Sequence, residues 1–268
     1  MTVRLNIEQQ RATLLVDNPE KRNALYVEDL SEMLSLARRA VECGVTSLAL
    51  RGAGGNFCTG TVVEGAVDPR SIMLRTRKFQ EFATAFAELP VPTLAVVEGY
   101  AVGGGFELSL CCDFVLAAHD AQWGMPEADL ALTPSWGVSR LVSRAGPQFA
   151  RRVLLLGAIH PARTAVRHGV WDRLGAAEQL DEAVAEWHRL IGLKNAQTLR
   201  QTKALLNSLS EPGPQAWGLE MFSACLSWAS EGHWRAPDGD EGRGVSSFSE
   251  GADPWAARRA ASRDFWVD

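Results

Sequence analysis

Residues 98–113, EGYAVGGGFELSLCCD, place three consecutive glycines directly before an apolar segment that carries one glutamate. Each glycine costs about 0.5–1 kcal/mol relative to alanine in regular structure. Gly103, Gly104 and Gly105 therefore indicate a point where the backbone approaches a neighbour closely. A strand, a glycine turn and a helix start would present free backbone N–H groups to a ligand oxygen. A tight turn packed against another element would explain the glycines without any ligand.

Glu107 favours chemistry over simple packing, because a carboxylate inside an apolar segment needs a partner or a role. Glu127 is a second candidate, and Pro126 before it predicts a loop position rather than a helix face. Two carboxylates in a partly apolar site would have separated pKa values, so that one acts as base and the other as acid. Spacing alone does not bring the two together, and either could be a solvated surface charge.

A second glycine-rich stretch, residues 51–61 with the sequence RGAGGNFCTGT, follows a short apolar segment. It is not a phosphate-binding P-loop, because no Gly-Lys-Ser/Thr follows, and its glycine spacing does not fit a dinucleotide fingerprint. Like the first stretch, it supplies backbone N–H groups at the end of a predicted strand. Two such loops converging on one oxygen would stabilise an enolate or an oxyanion, by roughly 2.7–4 kcal/mol per donor.

The elements that position these loops follow from the apolar periodicity. A hairpin is predicted over 3–7 and 12–16, strands over 47–51, 93–97 and 113–118, and helices over 27–43, 71–89 and 106–112. Later segments are mainly helical, with helices predicted over 149–156, 181–191, 196–209 and 215–230. The order strand, helix, strand favours α/β layering.

Composition excludes several classes of function. The 268 residues carry a net charge of -5 and are 46% hydrophobic and 22% charged, as is ordinary for a soluble enzyme. The acidic balance argues against nucleic acid or an anionic membrane as the main partner. The sequence shows neither a run of about 18 apolar residues nor a signal peptide, so we expect no membrane association and a cytoplasmic location. The five histidines lack metal-ligand spacing, so no metal is expected.

Four motifs together indicate a family. They are residues 19–25 (PEKRNAL), 56–61 (NFCTGT), 99–108 (GYAVGGGFEL) and 124–127 (GMPE). In this order and spacing they resemble the crotonase family, the enoyl-CoA hydratase/isomerase superfamily, from about residue 3 to 230. The resemblance implies an α/β fold, the crotonase-type ββα spiral with a C-terminal helical region. We expect residues 1–195 to form the spiral core with the active site, and 196–268 to form a helical oligomerisation region with a flexible acidic, glycine-rich segment at 236–251.

The resemblance also implies individual roles. The backbone N–H groups of Thr61 and Gly104 would form an oxyanion hole for a thioester carbonyl. Glu107 would orient and activate a water, and Glu127 would exchange a proton with the α carbon. Coenzyme A would enter as part of the substrate rather than as a separate cofactor. The residues implied to contact it are Arg22, Ala24, Thr59, Thr61, Val62 and Val63.

The partner implied is an acyl-CoA or acyl-carrier-protein thioester, and the implied assembly is a homotrimer or a dimer of trimers. Two stretches depart from the family pattern. Thr61-Val62-Val63 replaces the usual aspartate after the first oxyanion loop, and residues 134–138 (PSWGV) replace a glycine-rich segment that leaves room beside the water. Ser135 and Trp136 would reshape the acyl pocket, although the Trp136 indole could equally face away into a helix contact.

Three interpretations stay open at this point. A hydratase, or a dehydratase in reverse, is favoured because both glutamates are present. A specialised crotonase of secondary metabolism would act as isomerase, decarboxylase or hydrolase on an unusual acyl group. An inactive homologue would only bind a thioester or scaffold a partner, and it is disfavoured because it would have little need for two carboxylates in an apolar pocket.

Overall fold

The computed structural model describes residues 2–62, 69–130, 132–210 and 213–229. Val63 and the glycine-rich segment at 236–251, both named above, lie outside these ranges. Within the described part of the chain, strands and helices alternate in the first half and helices dominate the second half. The α/β class is confirmed.

Two sheets organise the described residues. The strands are β1 Thr2–Glu8, β2 Arg11–Asp17, β3 Ser47–Gly52, β4 Thr93–Val97, β5 Tyr100–Val102, β6 Phe114–Ala118, β7 Gln122–Gly124, β8 Ile159–Pro161 and β9 Arg173–Gly175. The larger sheet has the order β1-β2-β3-β4-β6-β9 and is parallel except for the hairpin of β1 and β2. The smaller sheet has the order β5-β7-β8, with β5 parallel and β8 antiparallel to β7.

The helices cover the larger sheet and extend beyond it. They are α1 Val27–Glu42, α2 Pro69–Ala87, α3 Gly104–Ser109, α4 Val138–Leu156, α5 Ala162–Arg167, α6 Leu180–Gly192, α7 Ala196–Ser210 and α8 Pro214–Ala229. Helix α4 is kinked at Gly146, which precedes Pro147. No helix of the described ranges is long and apolar enough to cross a membrane.

The strands at the centre of the larger sheet are almost entirely buried, because the sheet centre is covered on both faces. All five residues of β4 are buried, as is typical of a parallel strand between helical layers. Helix α1 turns Leu30, Met33 and Ala37 into the core at the helical period. The chain therefore holds its glycine loops at the carboxyl ends of strands that are anchored in the core.

Most predicted elements are confirmed within a few residues, and three predictions need correction. Helix α4 begins at Val138, whereas a helix was predicted only over 149–156. Helix α3 begins at Gly104 and ends at Ser109, whereas helical structure was predicted over 106–112. Glu127 lies in the 3-10 helix Pro126–Leu130, whereas a loop was predicted. Pro126 occupies the first position of that turn, where its missing N–H is not needed.

Candidate active site

The three glycines lie where two backbones meet, as the sequence indicated. Gly103 has φ 56, a conformation that favours glycine, and it precedes α3. A Cβ on Gly105 would lie 2.0 Å from the carbonyl oxygen of Cys58. Alanine cannot fit there without a backbone shift, so the close approach of α3 to the loop at residues 56–61 depends on glycine.

Two backbone donors from the two glycine loops face one cavity. A Cβ on Gly104 would lie 3.0 Å from Thr61 Cγ2, which places the loops side by side. The loop at Thr61 is held by Leu25, whose N–H donates to Gly60 O and whose carbonyl accepts from Val62 N–H, both at 2.8 Å. Among the hydrogen bonds of the described residues, the N–H groups of Thr61 and Gly104 have no acceptor in the protein. Both residues line the cavity, so two N–H donors are available to a ligand.

The cavity has a volume of about 80 Å³. A cavity needs roughly 10–15 Å³ to hold one water molecule, so this space suits several waters or a small acyl group. One wall is polar and includes the two glycine loops and both glutamates. The other walls are mainly apolar and include Ile72, Phe79, Val102, Leu130, Leu132 and Trp136.

Glu107 is fixed by the start of α4. The residue is 2% exposed, and its Oε1 accepts hydrogen bonds from the backbone N–H groups of Trp136 at 3.1 Å and Gly137 at 2.8 Å. A Cβ on Gly137 would lie 2.6 Å from Glu107 Cγ, so glycine is required for this approach. Free N–H groups and the positive end of the helix dipole favour a carboxylate in this position.

Glu127 approaches the same cavity from the 3-10 helix Pro126–Leu130. Its Oε1 lies 2.9 Å from the place of a Cβ on Gly103, so the carboxyl group lies directly over the glycine turn. Its Oε2 is buried and has no hydrogen-bond partner within the described ranges. An unpartnered buried oxygen is costly, and a bound water or substrate would satisfy it.

Burial raises the pKa values of both glutamates, and the charge of Glu127 adds to the rise at Glu107. Burial raises the pKa of Glu127 to about 7. The pKa of Glu107 lies well above its ordinary value, first because of burial and then because of the Glu127 charge, while the two N–H donors of residues 136 and 137 oppose the rise. Near neutral pH the pair therefore retains a proton that can be given to a substrate.

Trp136 takes part both in the cavity wall and in a helix contact, the two placements that the sequence left open. Its backbone N–H holds Glu107, and its buried indole lines the cavity while it packs on α2, with its ring 5.3 Å from Phe79 and 6.4 Å from Phe82. Ser135, its neighbour, also lines the cavity. The departure from the glycine-rich pattern thus narrows the cavity with an aromatic wall.

Of the residues implied to contact coenzyme A, Thr59 and Thr61 line the cavity. The Thr59 N–H and hydroxyl donate to the carbonyl oxygen of Arg22, which ties the loop to the end of the 3-10 helix Pro19–Lys21. Ala24 and Val62 are buried and do not line the cavity. Arg22 does not line it either.

Helix α2 adds residues that the sequence did not single out for the site. Arg75 and Thr76 line the cavity beside Phe79. One guanidinium nitrogen of Arg75 donates to Val62 O at 2.5 Å, and burial lowers the pKa of this group. The apolar spacing of α2 predicts only a stripe that faces the core. Arg75 lies within this stripe, and a charged residue in that position was the signal that could have indicated the site.

The sequence of the chain is similar to those of known enoyl-CoA hydratases. A family model described as enoyl-CoA hydratase/isomerase matches residues 7–252. The chain is 33% identical to a probable enoyl-CoA hydratase of Mycobacterium tuberculosis, over 85% of this chain and 96% of the relative. It is 29% identical to a crotonyl-CoA hydratase of Syntrophomonas wolfei, over 92% of this chain and 94% of the relative.

Solved structures show the same fold. An enoyl-CoA hydratase from Mycobacterium avium subsp. paratuberculosis superposes with a TM-score of 0.77 at 23% identity, covering 86% of this chain and 95% of that one. An enoyl-CoA hydratase/isomerase from Xanthobacter autotrophicus superposes with a TM-score of 0.75 at 27% identity, covering 86% and 87%. The expected crotonase fold is confirmed, and the chain belongs to the enoyl-CoA hydratase/isomerase family.

Proposed function

We propose that the protein adds water to an α,β-unsaturated acyl-CoA thioester, or removes it in the reverse direction. One observation carries the proposal: the free N–H groups of Thr61 and Gly104 share a cavity with Glu107 and Glu127. The relatives named as enoyl-CoA and crotonyl-CoA hydratases support the same reaction.

The thioester carbonyl would accept hydrogen bonds from Thr61 and Gly104. This polarises the conjugated double bond and makes the β carbon electrophilic. Negative charge that develops on the oxygen is stabilised by donors that are already in place, and one such donor contributes roughly 2.7–4 kcal/mol.

The two glutamates would handle the water and its protons. A water held between Glu107 and Glu127 forms a C–O bond to the β carbon and gives one proton to Glu107. The electrons of the double bond move onto the thioester oxygen, and the resulting enolate takes a proton at the α carbon from Glu127. One water is consumed, and the pair ends with one proton again, on Glu107 instead of Glu127.

We propose coenzyme A as the thiol part of the substrate, with Arg22, Ala24, Thr59, Thr61, Val62 and Val63 as the residues that contact it. An acyl-carrier-protein thioester is the alternative carrier. A crotonase that acts on an unusual acyl group is the second candidate, because Trp136 and Phe79 close the cavity with aromatic walls. A small cavity of this kind favours a short acyl chain.

Turnover of crotonyl-CoA in ¹⁸O-labelled water tests the function. The proposal expects loss of the conjugated enoyl absorbance and one labelled oxygen in the 3-hydroxyacyl product. Tight binding without turnover would instead favour a thioester-binding protein, and double-bond migration without label would favour an isomerase. The same assay with longer acyl chains and with crotonyl-carrier protein then separates the substrates.

We further propose that the protein assembles as a homotrimer or a dimer of trimers. Two C-terminal helices expose large apolar side chains, which on a monomer would meet water. On α7 and α8 these are Leu205, Leu206, Leu209, Leu219, Phe222 and Leu226. The last three recur at helical spacing and form one stripe along α8.

A further inference from the structure

Helix α8 is hydrogen-bonded to the segment that carries the donors of Glu107. Near its end, Ser227 Oγ accepts from the backbone N–H of Thr133 at 3.0 Å. Near its start, the side-chain amide of Gln80 donates to Trp217 O at 2.8 Å and to Ser135 O at 2.9 Å. A helix that lies more than 75 residues further along the chain is therefore fastened to both ends of the loop at residues 133–135.

Glu220 makes the third contact, and it is the only charged residue in the sequence of α8. Its side chain is buried, with the residue 7% exposed. Its Oε1 accepts from the backbone N–H of Ser139 at 2.7 Å and also from the Ser139 hydroxyl. Its Oε2 is buried without a hydrogen-bond partner in the described part of the chain. Burying a carboxylate is expensive, so a purely apolar contact would pack α8 at lower cost.

Two carboxylates thus share the first turn of α4. Glu107 accepts the N–H groups of residues 136 and 137, and Glu220 accepts that of Ser139. Consecutive Cα atoms are about 3.8 Å apart, so Gly137 and Ser139 are at most about 7.6 Å apart. Any displacement of this turn moves the donors that orient Glu107.

We propose that Glu220 is a positioning residue for the reaction, holding the first turn of α4 so that its N–H groups keep Glu107 in its working orientation. The inference rests on the proposed function for the role of Glu107. It makes the docking of α8 part of the active site rather than a remote structural contact.

The charged groups around Glu107 and Glu220 determine how removal of Glu220 changes the pKa of Glu107. Glu107 faces Glu127 from the 3-10 helix and Glu220 from α8, and both negative charges add to the effect of burial in raising the pKa of Glu107. Glu220 faces Arg140 of α4, whose charge favours the ionised form, while burial raises the pKa of Glu220. Arg140 also donates to Trp136 O at 2.8 Å, so it is part of the same turn.

Glu220→Gln keeps an oxygen that accepts from Ser139 and removes the charge. We expect the pKa of Glu107 to fall, because a negative charge that raises it is removed. The measurement is a ¹³C NMR titration of protein labelled with [δ-¹³C]glutamate, with the Glu107 signal assigned by its loss in Glu107→Gln. The acid limb of kcat for crotonyl-CoA should move to lower pH by the same amount.

Ser139→Ala supplies a second variant that does not depend on the folding of Glu220→Gln. It removes the hydroxyl donor, and we expect kcat to fall about five-fold at unchanged KM, as for loss of one hydrogen bond. Glu186→Gln is the matched control, because it removes one negative charge from an exposed carboxylate on α6 that pairs with Arg189. It should leave the titration and the rate unchanged.

A wild-type kcat and pH profile in Ser139→Ala would overturn the positioning role. A Glu107 titration that is identical in wild type and Glu220→Gln would overturn the expected effect of the Glu220 charge on Glu107. Failure of the proposed function is a separate result. In that case wild-type protein does not hydrate crotonyl-CoA, while the carboxyl titration still decides whether Glu220 acts on Glu107.

Discussion

Glu107 and Glu127 are held differently, and this difference supports their proposed roles. Two backbone N–H groups reach Glu107 Oε1, whereas Glu127 Oε2 has no partner among the described residues. Repulsion from Glu127 adds to the burial that raises the pKa of Glu107, but only while Glu127 is ionised. Once Glu127 holds the shared proton, that repulsion disappears, and the N–H donors oppose the remaining effect of burial on the pKa of Glu107. The hydrogen bonds to Glu107 and the unpartnered oxygen of Glu127 support the proposal that Glu127 supplies the proton for the α carbon and Glu107 activates the water.

Replacing Glu127 with glutamine should abolish hydration while thioester binding stays nearly intact. The introduced amide would fill the same space and could not release a proton, so kcat should fall by about 10²–10⁴. The loss of enoyl absorbance gives the rate, and calorimetry with a saturated acyl-CoA gives the binding constant. Asp129→Asn makes the same charge change in the same 3-10 helix, outside the cavity, and should keep wild-type activity. Retained turnover in Glu127→Gln would refute the acid/base assignment.

The raised pKa of Glu127 also predicts how stability depends on pH. Its folded pKa of about 7 exceeds the ordinary value of 4.5, so the fold favours the protonated form. Its stabilising contribution is complete below about pH 4.5 and is lost as pH rises through 7. Glutamine has no proton to lose. Glu127→Gln should therefore be more stable than wild type by up to about 3 kcal/mol at about pH 8, and by little at about pH 4.5.

Urea unfolding at the two pH values measures this difference. An equal effect of Glu127→Gln at both would show that burial does not hold the proton on Glu127. A stabilising active-site substitution is expected where function requires an ionisable group in an apolar cavity.

The sequence indicates a role for Glu107 but not for Glu220, although both residues give the same signal. Each is the single charged residue of an apolar helical segment. Glu107 stood out because three glycines precede it, whereas no local motif accompanies Glu220. Its partner, Ser139, lies 81 residues away, and contacts at that distance are set by tertiary packing, which no local pattern reports.

At the scale of elements, most long segments were predictable and the three-residue strands were not, while α4 was predicted only over its second half. Helix α1 and strand β4 show clear periodicity or a continuous apolar run, and both were predicted nearly to the residue. Strands β7, β8 and β9 have three residues each, too few to show a period of two. They exist because neighbouring strands accept their hydrogen bonds. The 3-10 helix at Glu127 was missed because Pro126 predicts only that an α-helix cannot continue.

The contact of α3 with the loop at residues 56–61 should fail if Gly105 gains a side chain. A methyl group there would lie 2.0 Å from Cys58 O, and overpacking of this kind costs about 1–3 kcal/mol or more. Gly105→Ala should lower the midpoint of urea unfolding and the hydration rate together, since α3 carries Glu107. Gly218→Ala is the matched control, because nothing lies within 4 Å of its Cβ and alanine favours the helix α8. Equal stability of the two variants would contradict a required close approach.

At the scale of the whole molecule, the cavity is assembled from distant parts of the chain. The glycine loops come from the first half, α2 supplies an apolar wall, and α8 fastens the turn that holds Glu107. The division at residue 195 stays a prediction, and hydrogen bonds of Glu220 and Ser227 cross it. Helix α8 contacts the first turn of α4 through Glu220 and presents Leu219, Phe222 and Leu226 to solvent. A subunit that covers this stripe would stabilise the same helix that holds the site.

Self-association can be tested at α7, where Leu209 is 77% exposed. Wild-type protein is expected to have a mass of three or six times 29.1 kDa by light scattering after gel filtration. Leu209→Glu would bury a charge in the proposed interface, at a cost of about several kcal/mol, and should shift the protein to monomers. Gln10→Glu adds the same charge in the turn between β1 and β2 and should leave the mass unchanged. A wild-type monomer would exclude the trimer, and an unchanged mass in Leu209→Glu would place the interface elsewhere.

If assembly stabilises α8, the monomeric variant should also hydrate crotonyl-CoA more slowly, with a larger effect on kcat than on KM.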